Sequence, residues 1–291
     1  MELLPKTAVL GLGLMGTEIA LRLQAQGVAV TGWNRGAERS QAAAAAGLAV
    51  AADAATAIGA ADLVLLVLSD AAAIEATLLA PPAAAAALPG RLIVQMGTIG
   101  PEESRGLAAR LDALGGRYLE APVLGSLGEA REGRLIIMVG GDETLFAQCR
   151  PVLERLGAQP QRIGAVGQAA ALKLALNQLI AGLTATFALS LGLVRAQGID
   201  VDQFMTLLRG SALYAQTFDK KLDKYLSHDY GAANFPLKHL LKDVRLFRQA
   251  AAPLGLDTAL AGAIEAACIR GQDLGLGDQD YSAIYEALSR G

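Results

Sequence analysis

The sequence predicts an α/β Rossmann-type N-terminal domain and an all-α C-terminal domain joined by a long interdomain helix. Three observations carry that expectation. Short β-rich apolar runs alternate with helical stretches through the first half, the mark of a parallel sheet with crossover helices. A glycine-rich turn follows the first of those runs. Past Gly167 no strand-like run recurs, and apolar residues repeat at helical spacing to the C-terminus. The boundary is expected near residue 165, giving domains over 1–165 and 166–291.

The elements follow in order. Strands are expected at Ala8–Leu10, Val28–Trp33, Leu63–Leu68, Leu92–Gln95, Arg117–Leu119 and Leu135–Val139. Helices are expected at Thr17–Gln26, Glu38–Ala46, Ala71–Leu79, Glu102–Leu114 and Glu143–Leu156. Glycine or proline punctuates many junctions, including Gly27, Gly47, Pro89-Gly90 and Gly140-Gly141. Alanine runs such as Ala42–Ala46 and Ala83–Ala87 read as helix surface, alanine being the best helix former.

Composition narrows the function. With 291 residues and 53% hydrophobic content, the chain has ample material for two cores. A net charge of −3 supplies no basic field, so no nucleic-acid partner is expected. Cys149 and Cys268 stand far apart, and His228 and His239 are the only histidines, so neither a disulfide framework nor a metal site is expected. The opening Met1-Glu-Leu-Leu-Pro-Lys lacks the pattern of a signal peptide, and a cytoplasmic setting is expected. Leu174–Val194 is uncharged over a length that would cross a bilayer. Its Asn177, Gln178, Thr184, Thr186 and Ser190, without flanking aromatics, point instead to a buried helix of a soluble fold, and no membrane partner is expected.

The strongest motif is Gly11-Leu12-Gly13-Leu14-Met15-Gly16, placed after a strand and opening a helix from about Met15. Gly11 permits the turn, Gly13 lets backbone approach a pyrophosphate, and Gly16 lets helix and sheet pack closely. The helix N-terminus offers N–H groups and a partial positive charge to the phosphates. At the end of the second strand, where an NAD enzyme carries an acid, stand Asn34 and Arg35, with Arg39 one turn on. A guanidinium there suits a 2′-phosphate, so NADP is the expected cofactor.

Between Arg162 and Arg195 the only charged side chain is Lys173, flanked by Leu172 and Leu174. A buried ammonium is costly unless it has a partner or a task, and desolvation suits a lysine to proton transfer near neutrality. Asn177 lies four residues on, on the same helical face, where it can hold a substrate oxygen or orient the amine.

With these pieces the chain resembles the β-hydroxyacid dehydrogenase family, which includes 3-hydroxyisobutyrate dehydrogenases and glyoxylate/succinic semialdehyde reductases. Four blocks carry the resemblance: Gly11–Gly16, Glu120-Ala-Pro-Val-Leu-Gly-Ser126, Gly167-Gln-Ala-Ala-Ala-Leu-Lys-Leu-Ala-Leu-Asn177 and Phe235-Pro-Leu-Lys-His-Leu-Leu-Lys-Asp243. The resemblance implies Lys173 as the catalytic residue on an interdomain helix. It implies cofactor contacts from Ser69, from Thr98 in Met96-Gly-Thr-Ile, and from Lys242. It implies a substrate carboxylate received at Gly125 and Ser126, and a helical domain that forms a homodimer or homotetramer. The Asn-Arg pair resembles the NADPH-dependent glyoxylate/succinic semialdehyde branch. Two departures stand out: Leu124 replaces the family's usual serine, and Ala169 a usual glycine. Imine reductases of related sequence generally lack the lysine, so Lys173 argues against that assignment. The expected function is therefore NADPH-dependent reduction of small carboxylate-bearing aldehydes or ketones. The alternatives are a 3-hydroxyisobutyrate-type NAD(P)-dependent dehydrogenase and, from another class, a non-catalytic NADP-binding sensor or scaffold.

Overall fold

The structure, a computed structural model, describes residues 4–289, so the first three residues of the N-terminal stretch read above lie outside the described residues. Two compact units divide within one helix, the first ending at Lys173 and the second beginning at Leu174.

The first unit is a doubly wound sheet. Its elements run β1 (Thr7–Leu10), α1 (Leu14–Ala25), β2 (Val30–Trp33), α2 (Ala37–Ala45), β3 (Ala49–Val50), α3 (Ala54–Gly59), β4 (Leu63–Leu66) and α4 (Ala71–Ile74). α4 runs on as a π-helical turn over Glu75–Leu79, then come α5 (Pro82–Ala86), β5 (Leu92–Gln95), α6 (Pro101–Ala113) and β6 (Arg117–Glu120). β7 (Val123–Leu124), α7 (Leu127–Glu132), β8 (Ile136–Gly140), α8 (Glu143–Leu153) and β9 (Gln161–Gly164) complete it. Strand order is β3-β2-β1-β4-β5-β6-β8-β7, with β9 on β8. The strands from β3 to β6 are parallel, and β8 joins β6 and β7 antiparallel.

Both faces of the sheet are buried, which is why its strands read as continuous apolar runs. Val9, Leu65, Val94 and Leu119 point to one face, where Ile19 and Leu23 of α1 and Phe146 of α8 cover them. Their neighbours Leu10, Val64, Leu66 and Ile93 point to the other, under Ile58 of α3 and Leu107 and Leu111 of α6. The order reverses between β1 and β4, and at such a switch point the carboxyl ends of the strands open a crevice for a ligand.

Among the described residues the second unit has no strand. It comprises the rest of α9 (Gln168–Ala196), then α10 (Val201–Arg209), α11 (Gln216–Ser227), α12 (Leu237–Ala251), α13 (Ala259–Asp273) and α14 (Ile284–Ser289). Ala181 and Ala185 of α9 pack with Leu240, Leu241 and Val244 of α12 and Ile264 of α13. Further along, Phe187, Ala188 and Leu191 pack with Met205, Phe218 and Tyr225, the rings of Phe187 and Phe218 stacking 4.5 Å apart. α9 is 29 residues long and, by length and composition alone, apolar enough to cross a membrane. Leu179, Leu183, Leu189 and Leu193 stand exposed on it.

Cys149 and Cys268 are free and buried, and burial pushes both thiols up to about 12. Only the thiolate alkylates readily. Iodoacetamide at pH 7.5 is expected to label neither in the native protein and both after denaturation. Labelling of the folded chain within minutes, read by intact mass, would contradict this packing.

Candidate active site

The phosphate cradle sits at the crevice. Gly11 adopts φ +102°, and a Cβ there would fall 2.3 Å from the Val67 carbonyl oxygen. A Cβ on Gly16 would fall 1.9 Å from the Gly11 carbonyl oxygen. Those two glycines are demanded by the protein's own backbone. Gly13 is not: a Cβ there would meet only the Arg39 guanidinium, at 3.3 Å. α1 starts at Leu14 with no capping side chain and no acid in its first turn. An anion-accepting helix end, open above Gly13 and with a cation beside it, fits a dinucleotide pyrophosphate.

The loop after β2 is shaped by Asn34, whose amide donates to the Gly36 carbonyl at 3.1 Å, while the Ser40 hydroxyl donates to the Asn34 carbonyl. Asn34 thus builds its own turn and leaves Arg35 exposed at the tip. Arg39, reaching back from α2 over Gly13, is a second cation at this end. Sequence reasoning noted it but gave it no role, because its direction depends on where α2 begins. Ser69, after β4, is exposed and donates to Asp70, which caps α4 through the Ala73 N–H.

Beyond β5, Gly97 and Thr98 line a recess with Gln95, Glu120, Pro122 and Lys173. Lys173 lies in the sixth position of α9 and is 8% exposed, so the expectation of a buried lysine holds. The end of β7 and the loop from it to α7 carry Leu124, Gly125 and Ser126. Leu124 is half-buried and pairs with Ile136. The Ser126 N–H and hydroxyl both donate to the Glu129 carboxylate, the N–H at 2.8 Å, forming a capping box. Of the donors expected to receive a substrate carboxylate, the two of Ser126 are therefore engaged by the chain's own Glu129.

In the second unit Asn177 donates to Asp243 at 2.6 Å, and Lys242 pairs with the other oxygen of Asp243 at 3.0 Å. Asp243 is 3% exposed and sits on the otherwise apolar face of α12 with Leu240, Leu241 and Val244. No role was assigned to it from sequence, although an acid in a run of buried leucines was the available signal. Among the described residues no group of three or more His, Cys, Asp or Glu side chains is placed to hold a metal ion.

A doubly wound sheet with an anion cradle at its switch point and a buried lysine beyond the next strand defines a nicotinamide-dinucleotide oxidoreductase. Residues 6–167 match the sequence model described as the NAD binding domain of 6-phosphogluconate dehydrogenase, and residues 167–288 that of NADP-dependent 3-hydroxyisobutyrate dehydrogenase. The chain is 31% identical over 280 residues to glyoxylate/succinic semialdehyde reductase 1 of Arabidopsis thaliana, covering 96% of each. It is 30% identical to the human cytokine-like nuclear factor N-PAC over 97% of this chain and 51% of that one. The 3-hydroxyisobutyrate dehydrogenase of Salmonella typhimurium superposes with a TM-score of 0.86 at 25% identity, covering 97% of this chain and 99% of the other. The chain belongs to the β-hydroxyacid dehydrogenase family, and is an NAD(P)-dependent oxidoreductase acting on hydroxyl and carbonyl groups.

Proposed function

We propose that the protein is an NADPH-dependent reductase of small carboxylate-bearing aldehydes or ketones, with glyoxylate and succinic semialdehyde as the first candidates. The observation that carries the reading is Lys173, buried beside Thr98 in the recess beyond β5. The bound nicotinamide supplies the hydride. Lys173 then meets the oxygen of the carbonyl, stabilises the negative charge that grows on it and donates the proton that completes the alcohol. Gly11 and Gly16 would shape the turn that holds the pyrophosphate, with Gly13 open to it and Arg39 beside it, and Arg35 would meet the 2′-phosphate. Loss of NADPH absorbance on adding glyoxylate or succinic semialdehyde tests the reading. No turnover of either, or of a wider panel of semialdehydes and 2-oxo acids, overturns it.

The cofactor choice rests on Asn34-Arg35 in place of an acid. Arg35→Asp is expected to weaken NADPH use by about 1.5–3 kcal/mol, the worth of a charged hydrogen bond, with NADH use little changed. An unaltered NADPH/NADH ratio of kcat/KM would remove Arg35 from the site.

Leu124 and the engaged Ser126 shape the choice of substrate. Leu124→Ser is expected to reorder kcat/KM among carboxylate substrates while leaving NADPH affinity within about twofold, a few tenths of a kcal/mol. The reverse pattern would place this loop on the cofactor.

A 3-hydroxyisobutyrate-type dehydrogenase working in the oxidative direction is the second reading, favoured by the match over residues 167–288. The same lysine would then accept the alcohol proton. The exposed leucine face of α9 supports self-association as a homodimer or homotetramer, as an apolar stripe in water favours burial.

A further inference from the structure

We propose that Glu120 is the positioning residue for Lys173, holding the first turn of α9 from the end of β6 and setting the charge that the lysine feels. The proposal rests on the assignment of Lys173 as proton donor.

α9 begins after a glycine and has no acid in its first turn. Its leading N–H groups are met instead by a carboxylate about 50 residues earlier. Glu120 Oε1 accepts from the backbone N–H groups of Gly167 at 2.9 Å, Ala169 at 2.8 Å and Ala170 at 3.1 Å. Its Oε2 accepts from the Ser104 hydroxyl, which also pairs with the Tyr118 hydroxyl at 2.8 Å. Glu120 is 1% exposed and Ser104 wholly buried.

The surroundings are cut to admit this side chain. Gly140 lies opposite Glu120 in the sheet, and a Cβ there would fall 2.3 Å from Oε1. Gly167 adopts φ +96° with the Arg105 guanidinium against it. One glycine, a serine and three backbone donors therefore converge on one buried acid.

Lys173 follows Ala169 by four residues and Ala170 by three, so it shares their helical face. Helical side chains lean toward the N-terminus, which carries the lysine back over the turn that Glu120 holds. Both residues line the recess that contains Thr98. The carboxylate thus fixes where the lysine starts and places a negative charge in the wall of the recess that the lysine also lines. The other ionisable groups around Glu120 do not substitute for it. Arg105 of α6 is paired to Glu102, Glu103 accepts from the Gly100 N–H, and burial holds the Tyr118 phenol protonated far above its ordinary range. On the far side of β8, Arg162 donates to the Gly141 carbonyl.

Glu120→Gln keeps the length and one acceptor oxygen but removes the charge. A purely structural cap predicts an unchanged titration of Lys173. Positioning with charge predicts that the ammonium is less favoured, so the lysine titrates at lower pH by on the order of one unit. The measurement is competitive acetylation of the full-length protein with acetic anhydride across pH 6–11, reading the Lys173 peptide by mass spectrometry. It needs neither substrate nor cofactor. Alongside it, kcat against pH should lose rate at correspondingly lower pH in the variant, because reduction needs the protonated lysine. Glu120→Asp, which keeps the charge but draws it back by one methylene, should fall between the two and carries the test if the glutamine variant does not fold. An acetylation midpoint equal to the parent's in the folded variant overturns the proposal. If the midpoint moves but Lys173→Ala turns over like the parent, it is the proton-donor assignment that falls.

Discussion

Replacing Lys173 with alanine is expected to lower kcat by on the order of 10²–10⁴-fold, the usual worth of positioned proton transfer, while NADPH still binds. Charge grows on the carbonyl oxygen as hydride arrives, and a buried ammonium stabilises that charge better than water does. The recess that Lys173 lines is built from the ends of β5 and β6 and the start of α9, not from Gly11–Gly16, so fluorescence titration of NADPH should give nearly the parental Kd. Lys173→Arg should rescue poorly, since a guanidinium holds its proton too tightly to act as an acid. A lysine that merely lays its stem along apolar surface would be replaceable at little cost. Turnover of the alanine variant within a few-fold of the parent, on the best substrate found, would sink the mechanism.

The second large effect is expected at the cradle, where two neighbouring glycines should fail differently. Gly16→Ala puts a methyl 1.9 Å from the Gly11 carbonyl oxygen and 3.3 Å from Val67 Cβ. Only a backbone shift relieves that overlap, at about 1–3 kcal/mol, so both melting temperature and NADPH affinity should fall, the affinity by tenfold or more. Gly13→Ala meets nothing but the movable Arg39 guanidinium. It should fold with parental stability and still bind NADPH poorly, because the methyl occupies the space through which backbone approaches the pyrophosphate. Calorimetry with a binding titration on both variants separates the cases. Parental affinity in Gly13→Ala would mean that the pyrophosphate lies elsewhere.

The alternation of strands and helices was legible because both faces of the sheet are covered. Leu63–Leu66 and Leu92–Gln95 are buried at every position, leaving runs that no helix pattern imitates. β9 escaped for the opposite reason: Gln161-Arg-Ile-Gly is a polar edge with three of its four residues exposed. β3 and β7 are two residues each, too short to show a period. Helix starts came earlier than expected at α1 and α6 because a glycine serves as N-cap in both, and glycine offers no side-chain signal. At the site, Lys173 could be found because one charge in a long uncharged run is conspicuous. Glu120 could not, since an acid at a strand end reads as solvated until the fold brings its partners to it, and at Asp243 the neighbouring leucines were the one signal, offset by the adjacent Lys242.

The seat of Glu120 also constrains how the sequence can change. A methyl at position 140 and a full-length acid at position 120 compete for the same volume, so the two sites are epistatic. Gly140→Ala alone should be costly, whereas Glu120→Asp removes the closest overlap, with Oε1 at 2.3 Å, and leaves the one with Cγ at 2.8 Å. A double-mutant cycle should therefore show the second change partly repairing the first. A substitution tolerated at one of these positions then depends on the history of the other, and drift in the β6–β8 pair would proceed by linked steps through the shorter acid.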